Sequence, residues 1–134
     1  MIDQTANVLK ALGEPTRLKI IKFLSARELC VCELVEVLGI SQPRVSQHVK
    51  VLKQASLVNE RKVRQNSYLS IDEAVLKDAI IIPFQTLMQT RLDKLPELKA
   101  ENQRFELLEA NTAVTACKEG NKRKKFSGNS NQIA

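Results

Sequence analysis

The most constraining feature of this chain is a pair of amphipathic segments joined by a very short connection. Residues 32–38, CELVEVL, place apolar side chains on one helical face, and Gly39 follows where helices commonly end in a left-handed residue. Ser41 suits the N-cap of a second helix. The residues that recur along one side of that helix are Val45, Val49, Leu52 and Ser56. Two helices separated by so few residues predict a helix-turn-helix.

Further elements are predicted on both sides of this pair. Residues 3–12 form one amphipathic pattern that Gly13 ends, and Pro15 suits the first turn of the next helix. After Leu57 the helical spacing of apolar residues ends, and strand-type residues follow on both sides of a polar segment. Residues 58–71 therefore predict a hairpin around a polar turn. A hairpin directly after the second helix of a helix-turn-helix is a wing. The predicted fold is therefore mainly α with a small β-hairpin, a winged helix-turn-helix.

The remainder of the chain divides into three parts. Residues 72–94 predict a helix that is unusually apolar and that Pro83 should kink or split. An all-round apolar helix needs a cover, and a symmetric partner is the expected one. We therefore place the winged helix-turn-helix domain with its dimerisation helices at residues 1–95 and a C-terminal helix at 96–117. The basic, Asn- and Ser-rich residues 118–134 are expected to be disordered.

The positive charge of the chain is concentrated in two places. The formal net charge is +6, and residues 41–68 contain six Lys or Arg against one Glu. Residues 118–134 contain five against one. A local positive patch suits the phosphate backbone of nucleic acid, although a solvated basic surface is the alternative reading of charge alone.

The predicted second helix of the helix-turn-helix carries side chains that can read DNA. Base contacts normally come from the first turns of such a helix, and the polar residues there are Gln42, Arg44, Ser46 and Gln47. Phosphate contacts are expected from Lys50 and Lys53. The wing adds Arg61, Arg64, Gln65 and Asn66. The alternative is an ordinary polar helix surface. His48 lies at the edge of the buried stripe, where a hydrogen-bonding or phosphate role is expected.

Two of the three cysteines lie just before the helix-turn-helix, in ELCVCEL at residues 28–34. Inside a regular helix Cys30 and Cys32 would point in diverging directions, whereas in an extended segment they would share a face. For one ion to bind both cysteines, the segment that leads into the helix must be extended, or the ion must distort the helix. Thiolates select soft ions. The alternative is that both cysteines are small buried apolar residues.

The sequence argues against several other classes of protein. It contains no glycine-rich phosphate loop, paired carboxylates or nucleophile with a nearby base, so no enzyme is expected. An odd number of cysteines favours a reducing compartment, and no leader or membrane-spanning run is recognisable, so we expect a cytoplasmic protein with no membrane partner.

Residues 13–71 resemble the ArsR/SmtB family of metal- and metalloid-responsive winged-helix repressors. The resemblance rests on EPTRL, ELCVCEL and SQPRVSQHVKVLKQASLV. It implies a homodimer, joined through its first and last helices, that blocks transcription on a palindromic operator until an inducer ion binds. The arsenic-responsive members carry a third cysteine where this chain has Val35, so Cys117 becomes the candidate third ligand beside Cys30 and Cys32. The expected inducer is arsenite or antimonite. Cadmium, lead and thiol oxidation or persulfidation are the alternatives.

Overall fold

The computed structural model describes residues 1–120 and contains seven α-helices and three strands within them. These are α1 (Ile2–Leu12), α2 (Pro15–Ala26), β1 (Leu29–Cys30), α3 (Val31–Leu38), α4 (Gln42–Gln54), β2 (Asn59–Val63), β3 (Asn66–Ser70), α5 (Glu73–Gln89), α6 (Lys99–Glu106) and α7 (Thr112–Gly120). Short 3-10 turns cover Leu92–Lys94, Pro96–Leu98 and Leu108–Ala110. The residues Met1–Thr90 form one compact unit, and a second unit begins at Arg91.

The helix-turn-helix consists of α3 and α4, as predicted. Gly39 ends α3 in the left-handed conformation, with φ of 67°, which costs glycine little because it has no Cβ. The Ser41 hydroxyl then accepts the backbone N–H of Arg44 and caps α4. These two signals force the chain to turn within a few residues, so the direction of α4 is fixed locally.

The core of the first unit lies between the helix-turn-helix, α2 and the sheet. Its fully buried side chains come from each of these elements and are Ile20, Leu34, Val45, Leu52 and Leu69. Burial of an aliphatic side chain of this size contributes about 1.5–3 kcal/mol. The stripe predicted for α4 is confirmed for Val45, Val49 and Leu52, which are buried. Ser56 is a correction, because it lies beyond the end of α4, with φ of 59°, and is exposed.

The sheet has one strand more than the predicted hairpin. β2 and β3 form the antiparallel wing, and β1 pairs with the other edge of β3, giving the order β1-β3-β2. The two residues of β1 are too few to produce a recognisable alternating pattern, and its pairing depends on β3, which lies far along the chain. The sequence therefore indicated an extended entry into α3 but not its place in the sheet.

The predictions for the C-terminal half need correction. α5 runs unbroken through Pro83, so the predicted split does not occur, and it ends at Gln89, where Thr90 becomes extended. Proline removes only one helical hydrogen bond, and the helix continues past it. The predicted single helix over residues 96–117 is wrong. It is divided into α6, a 3-10 turn and α7, because Asn111 is extended and its side chain accepts the N–H of Val114 to start α7.

The predicted disordered tail also needs a correction at its start. α7 continues to Gly120, so residues 118–120 are helical. The rest of the basic tail, residues 121–134, lies outside the described residues. Within residues 1–120, none of the helices combines the length and apolar character needed to cross a membrane.

Candidate DNA-binding surface and thiol site

The polar face of α4 is directed away from the core. Six of the seven DNA-contact candidates on this helix are exposed, namely Gln42, Arg44, Ser46, Gln47, Lys50 and Lys53, and the seventh, His48, is half-buried. They are held there because the opposite face of α4 is buried against α2 and α3. A helix presenting Gln, Arg and Ser at its start and Lys further along can hydrogen-bond base edges and phosphates in a major groove.

The wing turn is formed by Arg64 and Gln65, between the paired residues Val63 and Asn66. Arg64 has φ of 57°, a left-handed conformation that a tight two-residue hairpin turn commonly requires. Arg64, Gln65 and Asn66 are all exposed. The predicted wing tip is thus present, with a cation and two amides available to DNA.

An ion pair joins α4, the second helix of the helix-turn-helix, to the wing. The Lys53 Nζ lies 2.6 Å from Oε1 of Glu60 on β2. The hydrogen bond from Lys53 lowers the pKa of the Glu60 carboxyl, burial opposes this shift, and a hydrogen bond from Ser67 adds to it. The wing and α4 are therefore connected by a side-chain contact as well as by the intervening chain.

Arg61 forms a second ion pair, which was not predicted from the sequence. Its guanidinium donates to both carboxylate oxygens of Glu28, at 2.6 and 3.0 Å, and lies 4.7 Å from the centroid of the Tyr68 ring. The hydrogen bond with Arg61 lowers the pKa of Glu28, and the same contact raises the pKa of Arg61. Glu28 immediately precedes β1, so this pair binds the two edges of the sheet across β3.

His48 is half-buried and connects the recognition helix to α2. Its Nδ1 lies 3.2 Å from a terminal guanidinium nitrogen of Arg17 and 3.7 Å from Oε2 of Glu14. Arg17 also donates to the backbone carbonyls of Lys10 and Ala11 in the last turn of α1. The expected hydrogen-bonding role of His48 is thus present, while its contact with DNA stays a prediction.

The two cysteines of ELCVCEL stand at the junction between sheet and helix. Cys30 ends β1 and is the N-cap of α3, whereas Cys32 lies in the first turn of α3. Their Cα atoms are 5.4 Å apart and their sulfur atoms are paired as a disulfide. Cys30 is buried and Cys32 is exposed. The pair therefore shares a face, as the extended-entry interpretation requires.

Glu33 fixes the backbone beside the first thiol. Its carboxylate accepts the N–H of Cys30 at 3.0 Å and also accepts Arg27 at 2.9 Å. The hydrogen bond from the Cys30 N–H makes the largest contribution to lowering the pKa of Glu33, and the hydrogen bond from Arg27 makes the next largest. The acidic residue that follows Cys32 thus holds the start of α3 through a reciprocal cap.

Cys30 and Cys32 line one groove of about 590 Å³ together with six of the DNA-contact candidates. The candidates outside its lining are Arg44, Gln47, His48, Arg61 and Arg64. One wall is formed by Cys30, Val31 and Cys32. The others come from α4 and from the wing, through Gln42, Ser46, Val49, Lys50, Lys53, Glu60, Gln65, Asn66 and Ser67. The sequence placed the thiols and the DNA-reading side chains on successive helices; the fold brings them to a common space.

Reduction of the Cys30–Cys32 disulfide would give two thiolates on one face, a donor set that suits a soft ion. Within residues 1–120, no three His, Cys, Asp or Glu side chains are grouped in a way that could hold a metal ion. Cys117 is exposed on α7, in the second unit. Its role as a third ligand stays a prediction.

Four partners of predicted residues were missed from the sequence. Glu14, Arg17, Glu28 and Glu60 were not singled out, although each pairs with a predicted residue of the surface. Glu28 and Arg61 are 33 residues apart, and Arg17 and His48 are 31 apart. Charge signs alone do not identify partners at such separations.

Comparison with known proteins gives consistent matches to transcriptional regulators. Residues 14–60 match the family described as bacterial regulatory protein, arsR family. The transcriptional repressor SdpR of Bacillus subtilis is 36% identical over 74 residues, which are 55% of this chain and 82% of SdpR. The arsenical resistance operon repressor of Staphylococcus aureus is 38% identical over 77 residues, 58% of this chain and 74% of that protein.

A solved structure extends the agreement to three dimensions. The homodimeric winged helix-turn-helix DNA-binding domain from Mycobacterium bovis superposes with a TM-score of 0.54 at 26% identity, covering 67% of this chain and 84% of that domain. The segment that matches the family model, residues 14–60, runs from α2 to the start of the wing and contains the helix-turn-helix, Cys30 and Cys32. On this agreement of sequence and fold, the chain belongs to the ArsR family of bacterial regulatory proteins.

Proposed function

We propose that this protein is a metal(loid)-sensing transcriptional repressor of the reducing cytoplasm. It binds a palindromic operator as a homodimer and releases the DNA when a thiophilic ion binds Cys30 and Cys32. The observation that carries this proposal is the shared groove, in which the two sulfur-bearing residues face the side chains that would contact DNA. Ion and operator then favour different states of the same surface, and by linkage each weakens the binding of the other.

The homodimer is supported by an uncovered apolar surface on α1 and α5. These two helices pack against each other within the first unit. Their exposed large apolar side chains include Leu9, Val75, Ile81, Ile82, Phe84 and Met88. Contiguous apolar surface of this kind commonly marks an interface, and a two-fold pairing would place two recognition helices on the half-sites of a palindrome.

Arsenite or antimonite is the proposed inducer, because trivalent arsenic and antimony favour sulfur ligands, and a relative is a repressor of arsenical resistance. Cadmium and lead share this preference for sulfur and are the alternative ions. Cys117 is the chain's own candidate for a third thiolate, either from the same subunit or from the partner. When bound, the ion would replace the two thiol protons and hold the start of α3 in one geometry.

A second candidate function is a thiol redox sensor of the same fold. It is favoured by the pairing of Cys30 and Cys32 as a disulfide beside the DNA-contact candidates. In this case oxidation of the two thiols, and not an ion, would change the affinity for the operator.

Fluorescence anisotropy of a labelled operator separates these functions. The protein is kept reduced with a phosphine and titrated with arsenite, antimonite, cadmium, lead or zinc, and in a separate arm with peroxide or polysulfide. We expect arsenite or antimonite to release the wild type, and Cys30→Ser and Cys32→Ser to retain the DNA. Cys117→Ser tests the third ligand alone. Failure of every ion to release the reduced wild type would refute the ion sensor, and release by oxidants only would establish the redox sensor.

A further inference from the structure

The shared groove has more space and more polar groups than a bare ion at Cys30 and Cys32 would use. Its volume of about 590 Å³ lies within the range of roughly 300–1,000 Å³ typical of small-molecule sites. A trivalent arsenic ion bound to two thiolates needs a third ligand, and residues 1–120 do not group a third His, Cys, Asp or Glu with them. Val35 is instead packed against the core.

The groove walls define the chemistry of a ligand that would fit beside the thiols. Lys53 is paired with Glu60 in the groove wall, whereas within residues 1–120 no carboxylate forms an ion pair with Lys50, which therefore supplies the net positive charge. The amides of Gln42, Gln65 and Asn66 can bond peptide groups. An anionic molecule with amide groups is therefore complementary to the walls, and a thiol on that molecule would reach the open coordination position.

We propose that the inducer binds in this groove as a mixed complex, in which Cys30, Cys32 and one small anionic thiol of the glutathione class each donate a sulfur to arsenic. This inference rests on the proposed ion-sensing function. Arsenous acid has three As–OH bonds. Three thiols lose their protons, three As–S bonds replace the three As–O bonds, and three waters leave. Arsenic stays trivalent, so the step needs reduced cysteines but no oxidant or reductant.

The mixed complex also explains how inducer and operator would exclude each other. Its carboxylates would neutralise Lys50, a phosphate-contact candidate, and its body would fill the space between α4 and the wing turn. Because positive charge supplies much of the affinity for DNA, the complex opposes DNA binding by charge and by volume. The groove is thus a ligand site whose occupant competes directly for the DNA-facing side chains.

The test uses the full-length protein, reduced with a phosphine and without DNA. Arsenite and the small thiol are kept near the protein concentration, because excess thiol would sequester arsenic. Native mass spectrometry and arsenic–sulfur absorbance measure the complex with glutathione, with neutral 2-mercaptoethanol, and with S-methylglutathione, which has the same charges but no thiol. We expect a protein–arsenic–glutathione species and an arsenite midpoint lower by about tenfold, the equivalent of roughly 1.4 kcal/mol. S-methylglutathione should have no effect.

Matched lysine variants test the groove. Lys50→Gln should remove most of the advantage of glutathione over 2-mercaptoethanol, and Lys62→Gln, on the wing but outside the groove lining, should preserve it. The mixed complex is refuted if arsenite binds equally well with phosphine alone, or if Cys117→Ser abolishes arsenite binding even with glutathione present. In either case arsenite still binds the wild type and releases it from DNA, so the proposed sensor stands. Absence of arsenite binding to the wild type in all arms refutes both proposals.

Discussion

Cys30 pairs with Tyr68 across β1 and β3, and Tyr68 in turn pairs with Arg61 on β2. The first cysteine of the proposed sensor site is therefore part of the same three-stranded sheet as the wing. A change at Cys30 can reach DNA by two routes, through α3 to the turn before α4 and through β3 to the wing. Only the first route follows the order of the chain.

Tyr68 should report ion binding directly, because it is the only tyrosine and the chain has no tryptophan. We expect arsenite to change its fluorescence, with a midpoint equal to that of operator release. Cys30→Ser should abolish the change. A fluorescence signal that is unaltered while DNA is released would show that the wing does not respond to the ion.

Substitution of two arginines should distinguish a residue that stabilises the fold from one that binds DNA. Arg17→Lys replaces a guanidinium that contacts His48 and two carbonyls of α1, so we expect a loss of about 1–3 kcal/mol in the free energy of unfolding, measured with urea. Arg44→Lys, at an exposed position on α4, should leave stability within about 0.5 kcal/mol and weaken operator binding. Equal free energies of unfolding for the two variants would contradict the role of Arg17 in joining α1, α2 and α4.

Gly39 should tolerate asparagine better than alanine. Nothing lies within 4 Å of a Cβ added at this residue, so the cost of substitution is the left-handed backbone at φ 67° and not a clash. Gly39→Ala is expected to lower the free energy of unfolding by about 1–2 kcal/mol. Gly39→Asn should lower it less, because asparagine adopts this conformation more readily. Urea denaturation of the three proteins measures the difference.

Glu33 should make stability depend on acid pH. Its folded pKa lies below the ordinary value of 4.5, because the Cys30 N–H and Arg27 favour the carboxylate. The resulting stabilisation is fully present above the unfolded pKa and disappears as pH falls through the folded pKa. Glu33→Gln should therefore lose less stability than the wild type between pH 7 and pH 3, as measured by urea unfolding of both proteins across that range. An identical loss in the two proteins would contradict the role of the Glu33 carboxylate.

Arg61 and Arg64 should differ in their contribution to DNA affinity. Glu28 already pairs with Arg61, whereas Arg64 is exposed at the wing turn. Arg64→Gln is expected to reduce the salt slope of operator binding by about one per protomer if it contacts a phosphate. Arg61→Gln should reduce it less. An equal reduction would mean that the Glu28 pair opens on DNA.

The local signals in the sequence were sufficient for the helix-turn-helix. Gly39, Ser41 and the 3.6-residue recurrence of Val45, Val49 and Leu52 act within one or two turns of chain, so the bounds of α3 and α4 and the exposed face of α4 could be predicted. The wing followed from its alternating strands and polar turn. The spacing of Cys30 and Cys32 also required an extended entry to α3, which the structure contains.

Tertiary structure alone decided which distant residues meet. The pairing of β1 with β3, the Glu28–Arg61 pair and the Arg17–His48 contact join segments more than 30 residues apart, and no local pattern encodes a partner at that distance. The same is true of the groove, whose walls come from α3, α4 and the wing. The sequence determined that this chain has two neighbouring thiols and a DNA-reading helix; the packing of the sheet and of α4 against α2 and α3 placed them around one space.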